Sequence, residues 1–189
     1  MGQVFKWDAV RDGRIPKPES FVSVSDLLRQ RLNAEPAVVS ALLFGSVVRG
    51  DSNVRSDVDC VVIYSTKKEV RALEIMRALD QAAYALHVPI NFTPCDTVLA
   101  RTRLHNLGES FMRHLRVSIK AGGMVKGVLD GHLAPTLSPR AEIEDWMRAK
   151  MATLQKAFGE MGTYSDERRA AFLKKALEAP MHVARKMLV

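Results

Sequence analysis

Gly45-Ser46, followed ten residues later by Asp57-Val58-Asp59, is the one constellation in this 189-residue chain whose residue types and spacing carry chemistry. Asp57 and Asp59 lie two apart where an apolar run, Val58 to Tyr64, reads as a strand. Both carboxylates therefore leave the same face. Two carboxylates on one face repel each other without a cation, and hard oxygen ligands of this kind suit Mg²⁺ (or Mn²⁺). Gly45 lets the backbone approach phosphate oxygens closely. Ser46 offers its N–H and its hydroxyl at the start of a short helical turn, a place that favours anions. A metal on one side and the Gly-Ser turn on the other would hold opposite sides of one triphosphate, as in-line phosphoryl or nucleotidyl transfer requires.

The elements that must place these groups are legible around them. Val38, Val39, Ala41, Leu42, Leu43 and Phe44 suit a strand buried on both faces, stopped by Gly45. Residues 45–56 form a polar connection with room for one helical turn, and Val58 to Tyr64 is the next strand. Upstream, a helix is expected over about Val24 to Leu32, capped by Ser23 or Ser25, with Leu27, Leu28 and Leu32 on its apolar stripe. Downstream, Lys67 to Leu86 reads as a long amphipathic helix with Val70, Leu73, Met76, Leu79, Ala83 and Leu86 on one side. Pro89 to Pro94 is a short strand. Strand–loop–strand–helix–strand implies a mixed α/β sheet.

Beyond this the pattern turns helical. Ser110 to Ala121 is a helix stopped by Gly122-Gly123, and Met124, Val125 and Val128 suit a short edge strand. Residues 130–139 read as a linker in which Ser138 is a good N-cap and Pro139 a good first helical residue. A helix follows from about Arg140 to Phe158, with Ile143, Met147, Met151, Leu154 and Phe158 on one face. A last helix starts near Asp166, and Pro180 is expected to kink or restart it. It runs out on Met187, Leu188 and Val189, an apolar end that suits packing on the core, a partner or a longer chain. The organisation read from these patterns is an N-terminal arm (1–19), an α/β domain (20–128) and a C-terminal helical region (138–189).

Composition bounds the alternatives. An apolar fraction of 47% and a charged fraction of 26% fit a globular protein, and no apolar run approaches the length of a membrane span. The first fourteen residues lack the apolar stretch of a secretory signal, so the expected compartment is the cytoplasm. Cys60 and Cys95 are too few for a disulfide framework and read as reduced structural thiols. Residues 1–96 carry twelve basic and twelve acidic residues, whereas 97–189 carry sixteen against nine. The net positive charge of the second half would attract RNA, a nucleotide or an acidic protein, or is simply a solvated helical surface. The five histidines share no spacing, and at least four read as structural or exposed. No nucleophilic triad and no P-loop is apparent.

Phe44-Gly45-Ser46-Val47-Val48-Arg49-Gly50 with Ser56-Asp57-Val58-Asp59-Cys60-Val61-Val62 resembles the nucleotidyltransferase superfamily related to DNA polymerase beta, and within it the minimal and the aminoglycoside nucleotidyltransferases. The likeness is carried by residues 37–64 and extends plausibly to about 128. It implies a nucleotidyltransferase-fold mixed sheet flanked by helices, an α/β (α+β) architecture, followed here by a small C-terminal helical domain. It also implies that Gly45 and Ser46 bind the triphosphate, that Asp57 and Asp59 are metal ligands and catalytic groups, and that Arg49 supports a phosphate or braces a carboxylate.

Such enzymes usually carry a third carboxylate on a neighbouring strand. The matching position here is Asn91, which is neutral and cannot act as a base, though its carbonyl oxygen can meet a metal. Asp96 is the alternative if that strand is displaced. The resemblance implies a transferase that moves NMP from ATP or another nucleoside triphosphate onto a hydroxyl of a protein, an RNA end or a small molecule, releasing pyrophosphate. The alternative it leaves is a weak or inactive nucleotidyltransferase-fold regulatory module, such as an antitoxin-like partner protein. A homo-oligomer or hetero-complex through the C-terminal helices stays open, and no membrane partner is expected.

Overall fold

The computed structural model describes residues 7–133 and 139–187. Ser138 and the apolar end at Leu188 and Val189 lie outside the described residues, as do the first six positions of the expected arm. From Trp7 the arm is not irregular throughout: a short helix α1 spans Trp7–Arg11, and Pro18 already opens α2, Pro18–Ala34. The expected start at Val24 was six residues late. Proline at the first helical position needs no intrahelical N–H, and Lys17 caps the backbone with no side-chain bond. Ser23 and Ser25 are not caps. Each hydroxyl instead donates back to a carbonyl one turn earlier, Glu19 and Phe21 respectively. Phe21, Val24, Leu28 and Leu32 form the buried stripe.

Strand β1, Val38–Phe44, leads through the one-turn helix α3, Ser46–Arg49, and a polar loop into β2, Val58–Tyr64. A 3₁₀ turn at Thr66–Lys68 opens α4, Glu69–Tyr84. Its buried face is Ala72, Met76, Leu79 and Ala83: the last three belong to the expected stripe, whereas Val70, Leu73 and Leu86 are exposed. The stripe departs from expectation at its N-terminal end, where the small Ala72 is buried in place of Val70 and Leu73. Strand β3, Ile90–Asp96, follows. Then comes α5, Ala100–Asn106, which the sequence reading missed, and α6, Glu109–Lys120. Strand β4, Met124–Lys126, comes next, followed by a 3₁₀ turn at Asp130–His132 within the expected linker. Helices α7, Pro139–Glu160, and α8, Asp166–Met187, complete the chain. The backbone of α8 is helical through Pro180, so neither break nor restart occurs there. A 22-residue helix tolerates the loss of one intrahelical bond.

The four strands form one sheet in the order β3-β2-β1-β4. β1 runs antiparallel to both β2 and β4, and β2 runs parallel to β3, so the sheet is mixed as expected. Successive residues of a strand serve opposite layers. Ala41, Leu43, Cys60 and Val62 pack with Leu28, Leu32, Met76 and Leu79 of α2 and α4. Leu42, Phe44, Val61, Ile63 and Cys95 pack with Leu104, Met112 and Leu115 of α5 and α6. The strands are buried on both faces for this reason, and the two cysteines belong to different layers. At the β4 edge, Arg29 of α2 donates to the carbonyls of Met124 and Gly122 at 3.1 and 3.0 Å. Gly123 meets β1 so closely that a Cβ there would strike the Leu43 carbonyl. Among the described residues no helix is long and apolar enough to cross a membrane.

Candidate active site

The site forms where β1 ends and β2 and β3 begin. Phe44 stands opposite Asp59 on the antiparallel side, and Asn91 stands opposite Asp59 on the parallel side. Asp59 shares its parity with Val61 and Ile63, so it faces the α5–α6 layer, as does Asn91, which shares the parity of Cys95. Asp57 lies just before β2, on the same parity. Its charge acts on Asp59, so the two carboxylates lie near one another at the start of β2.

Gly45 is the residue that closes this geometry. Its φ of 85° is left-handed, and a Cβ built on it would collide with Oδ2 of Asp59. Only glycine joins both properties, and the result is that the backbone of the Gly-Ser turn lies against the second carboxylate. Ser46 starts α3, and the turn is locked by the N–H of Arg49 to the Gly45 carbonyl at 3.3 Å and of Asp51 to the Ser46 carbonyl at 3.1 Å. The loop that returns to Asp57 is held from within. Asn53 N–H donates to the Ser56 hydroxyl at 2.9 Å, Ser56 N–H donates back to the Asn53 carbonyl at 2.8 Å, and Ser56 is buried.

Asn91 Nδ2 donates to Asp59 Oδ1 at 2.8 Å. The neutral residue thus occupies the position adjoining the second carboxylate. Asp96 does not: it pairs with Tyr64 at the far end of β3, about 16 Å along the strand at 3.3 Å per residue. It also has the opposite parity. Its Oδ1 accepts the N–H groups of Val98 and Leu99 at 2.9 and 3.0 Å, a structural turn before α5. The alternative that Asp96 fills the third position is therefore corrected by both register and face.

The electrostatics follow from the geometry. Asp59 is pushed up to about 6, first by burial and second by the charge of Asp57, with the Asn91 hydrogen bond and Arg49 opposing. A carboxylate in this condition is short of positive charge, and the two-aspartate donor set suits a hard divalent cation. The residues present fit such an ion through Asp57 and Asp59, with the Asn91 carbonyl available only after its amide turns. Among the described residues no group of three or more His, Cys, Asp or Glu side chains is assembled for a metal. Cys60, next in sequence, is pushed up by burial and then by Asp59, which keeps it a thiol.

Arg49 reaches the rim, about a third exposed. It pairs with Asp51 at 3.1 Å and its Nη1 lies 3.2 Å from Nε2 of His114. His114, on α6, also sets its ring edge-on to Phe44, centroids 6.0 Å apart. Sequence reasoning missed this histidine. It lies 65 residues from Arg49, and no local spacing announces the pairing.

Residues 27–100, from α2 to the first residue of α5, match the family described as Polymerase beta, Nucleotidyltransferase. Over that segment the fold is that of the nucleotidyltransferase superfamily. Two solved structures are similar at low identity. One, provisionally described as a nucleotidyltransferase from Sulfolobus solfataricus, is 18% identical over 43% of this chain and 74% of its own, with a TM-score of 0.27. The other, a toxin-antitoxin with AMP-PNP, is 18% identical over 77% of this chain and 98% of its own, with a TM-score of 0.32. At these TM-scores neither adds to the assignment. Among curated proteins no match is found. The matched segment thus contains every site residue named above except His114, which lies beyond it.

Proposed function

We propose that this domain is a metal-dependent nucleotidyltransferase that moves NMP, with ATP the favoured donor, onto a hydroxyl acceptor and releases pyrophosphate. The observation that carries this reading is the contact of Gly45 with Asp59, which sets the Gly-Ser turn directly beside the second carboxylate. Asp57 and Asp59 would hold Mg²⁺ or Mn²⁺. When bound, that cation would neutralise the triphosphate and the charge growing on the departing pyrophosphate. The Gly45 backbone and Ser46 would grip the outer phosphates, and Arg49 would add positive charge at the rim. The acceptor oxygen would form a bond to the α-phosphorus as the bond to the bridging oxygen breaks, and pyrophosphate would leave with that electron pair. Asn91 cannot take the acceptor proton, which would pass to solvent. Its amide would keep Asp59 oriented. In this reading the protein acts in the cytoplasm, where nucleoside triphosphates are abundant.

Asn91 favours one second reading, a nucleotidyltransferase-fold regulatory module that binds nucleotide or a protein partner and transfers little. The domain division proposed is an arm (1–19), the transferase domain (20–128) and a helical region (138–189) offering the surface for a partner or second copy.

The test is transfer of a radiolabelled α-phosphate from each common nucleoside triphosphate, with Mg²⁺ or Mn²⁺, into the protein itself and into a cell lysate. The Asp57→Asn, Asp59→Asn double variant is the control. Label dependent on the two aspartates is expected, and its destination names the acceptor class. Nucleotide binding without label would select the regulatory reading, and absence of both would overturn the two together.

A further inference from the structure

The Arg49 guanidinium is held from two directions of different character. Asp51 belongs to the same short loop and moves with it. His114 belongs to α6, whose Met112 and Leu115 are buried against the sheet. An arginine has only donors, so at 3.2 Å the Nε2 of His114 must accept the Nη1 hydrogen, which places the ring proton on Nδ1. The ring itself is fixed by its edge-on contact with Phe44, interplanar angle 89°, and Phe44 is the strand residue facing Asp59. Histidine thus refers a long, many-rotamer side chain to the same strand end that sets Gly45 and Asp59.

We propose that His114 is a positioning residue: it fixes the Arg49 guanidinium toward the phosphates of a bound nucleoside triphosphate. The inference rests on the nucleotide reading above and names a residue outside the segment matched to the family. Two substitutions separate its two contacts. His114→Gln keeps an acceptor and loses the ring, whereas His114→Phe keeps the ring against Phe44 and loses the acceptor.

The experiment is calorimetric titration of the full chain with Mg–ATP, with thermal melts to establish folding. His114→Phe is expected to raise Kd about tenfold, the worth of one hydrogen bond to a charged group. His114→Gln is expected to stay within about twofold of wild type, because its carbonyl oxygen accepts the same hydrogen. Adding His114→Phe to Arg49→Ala should weaken binding no further. The reverse pattern, Phe tolerated and Gln impaired, would overturn the proposal and assign His114 to packing alone. So would independent losses in the double variant, or binding by both His114 variants equal to wild type. Wild-type protein that binds no Mg–ATP would overturn the nucleotide reading first, and the positioning role with it.

Discussion

The two ends of the parallel β2–β3 pair treat an aspartate in opposite ways. At the far end, opposite Tyr64, Asp96 receives two backbone N–H groups on one oxygen, and the Thr66 hydroxyl lies 3.5 Å from the same atom. At the near end, opposite Asn91, Asp59 receives one amide hydrogen, lies beside Asp57 and touches a glycine that offers it no side chain. One carboxylate is satisfied by the fold and closes a turn. The other is half-buried beside a second carboxylate, and burial and that neighbouring charge raise its pKa. The difference separates an acid that the backbone satisfies from one that it leaves open to a cation or a donor, on the same sheet.

The comparison can be broken most severely by removing the underserved pair. Asp57→Asn with Asp59→Asn should cut label transfer below roughly a thousandth of wild type while the far-end turn stays intact. Read by nucleotide labelling, retained transfer would place the chemistry elsewhere.

The next largest effect is on stability. The folded-state pKa of Asp59, about 6, lies above the ordinary 3.8. Its ionisation therefore opposes folding: the cost is absent below about pH 4, grows between the two values and is complete above about 6. Asp59→Asn should accordingly stabilise the metal-free protein by about 2–3 kcal/mol at pH 8 and by almost nothing at pH 4. Urea unfolding in chelator at the two pH values measures this, and a pH-independent difference would refute it.

A smaller change sharpens the same contrast. Asn91→Asp removes the Asn91 amide donor to Asp59 and adds a third negative charge, so the metal-free protein should lose about 1–2 kcal/mol at pH 8. Mg²⁺ should raise its melting temperature more than it raises that of wild type. The smallest effect belongs to the far end: Asp96→Ala should cost about 1 kcal/mol, as for a lost cap, with label transfer unchanged.

What the sequence made legible was what depends on near neighbours. The apolar runs of β1 and β2, with Gly45, Ser46 and the aspartates at their junction, were readable because strand parity and turn chemistry act within a few residues. The start of α2 was misplaced because Ser23 and Ser25 carry the residue type of a cap, and only the packing of Phe21 reveals that the helix has already begun. The first turns of α4 were misread because the small Ala72, not the larger Val70 and Leu73, is buried, while Met76, Leu79 and Ala83 are buried as expected. The place of Asn91 beside Asp59 was readable from strand pattern together with the family likeness. His114 was not, since its meeting with Arg49 is produced by α6 lying across β1.

One detail at the other side of the sheet bears on how the protein behaves among its own copies. β4 is only three residues long and forms an open margin of the sheet, where unpaired backbone groups invite a strand from another molecule. The guanidinium of Arg29 sits on two carbonyls of that margin. An incoming strand would have to displace a charged side chain before it made its first hydrogen bond, so this arginine acts as a guard against edge-to-edge polymerisation.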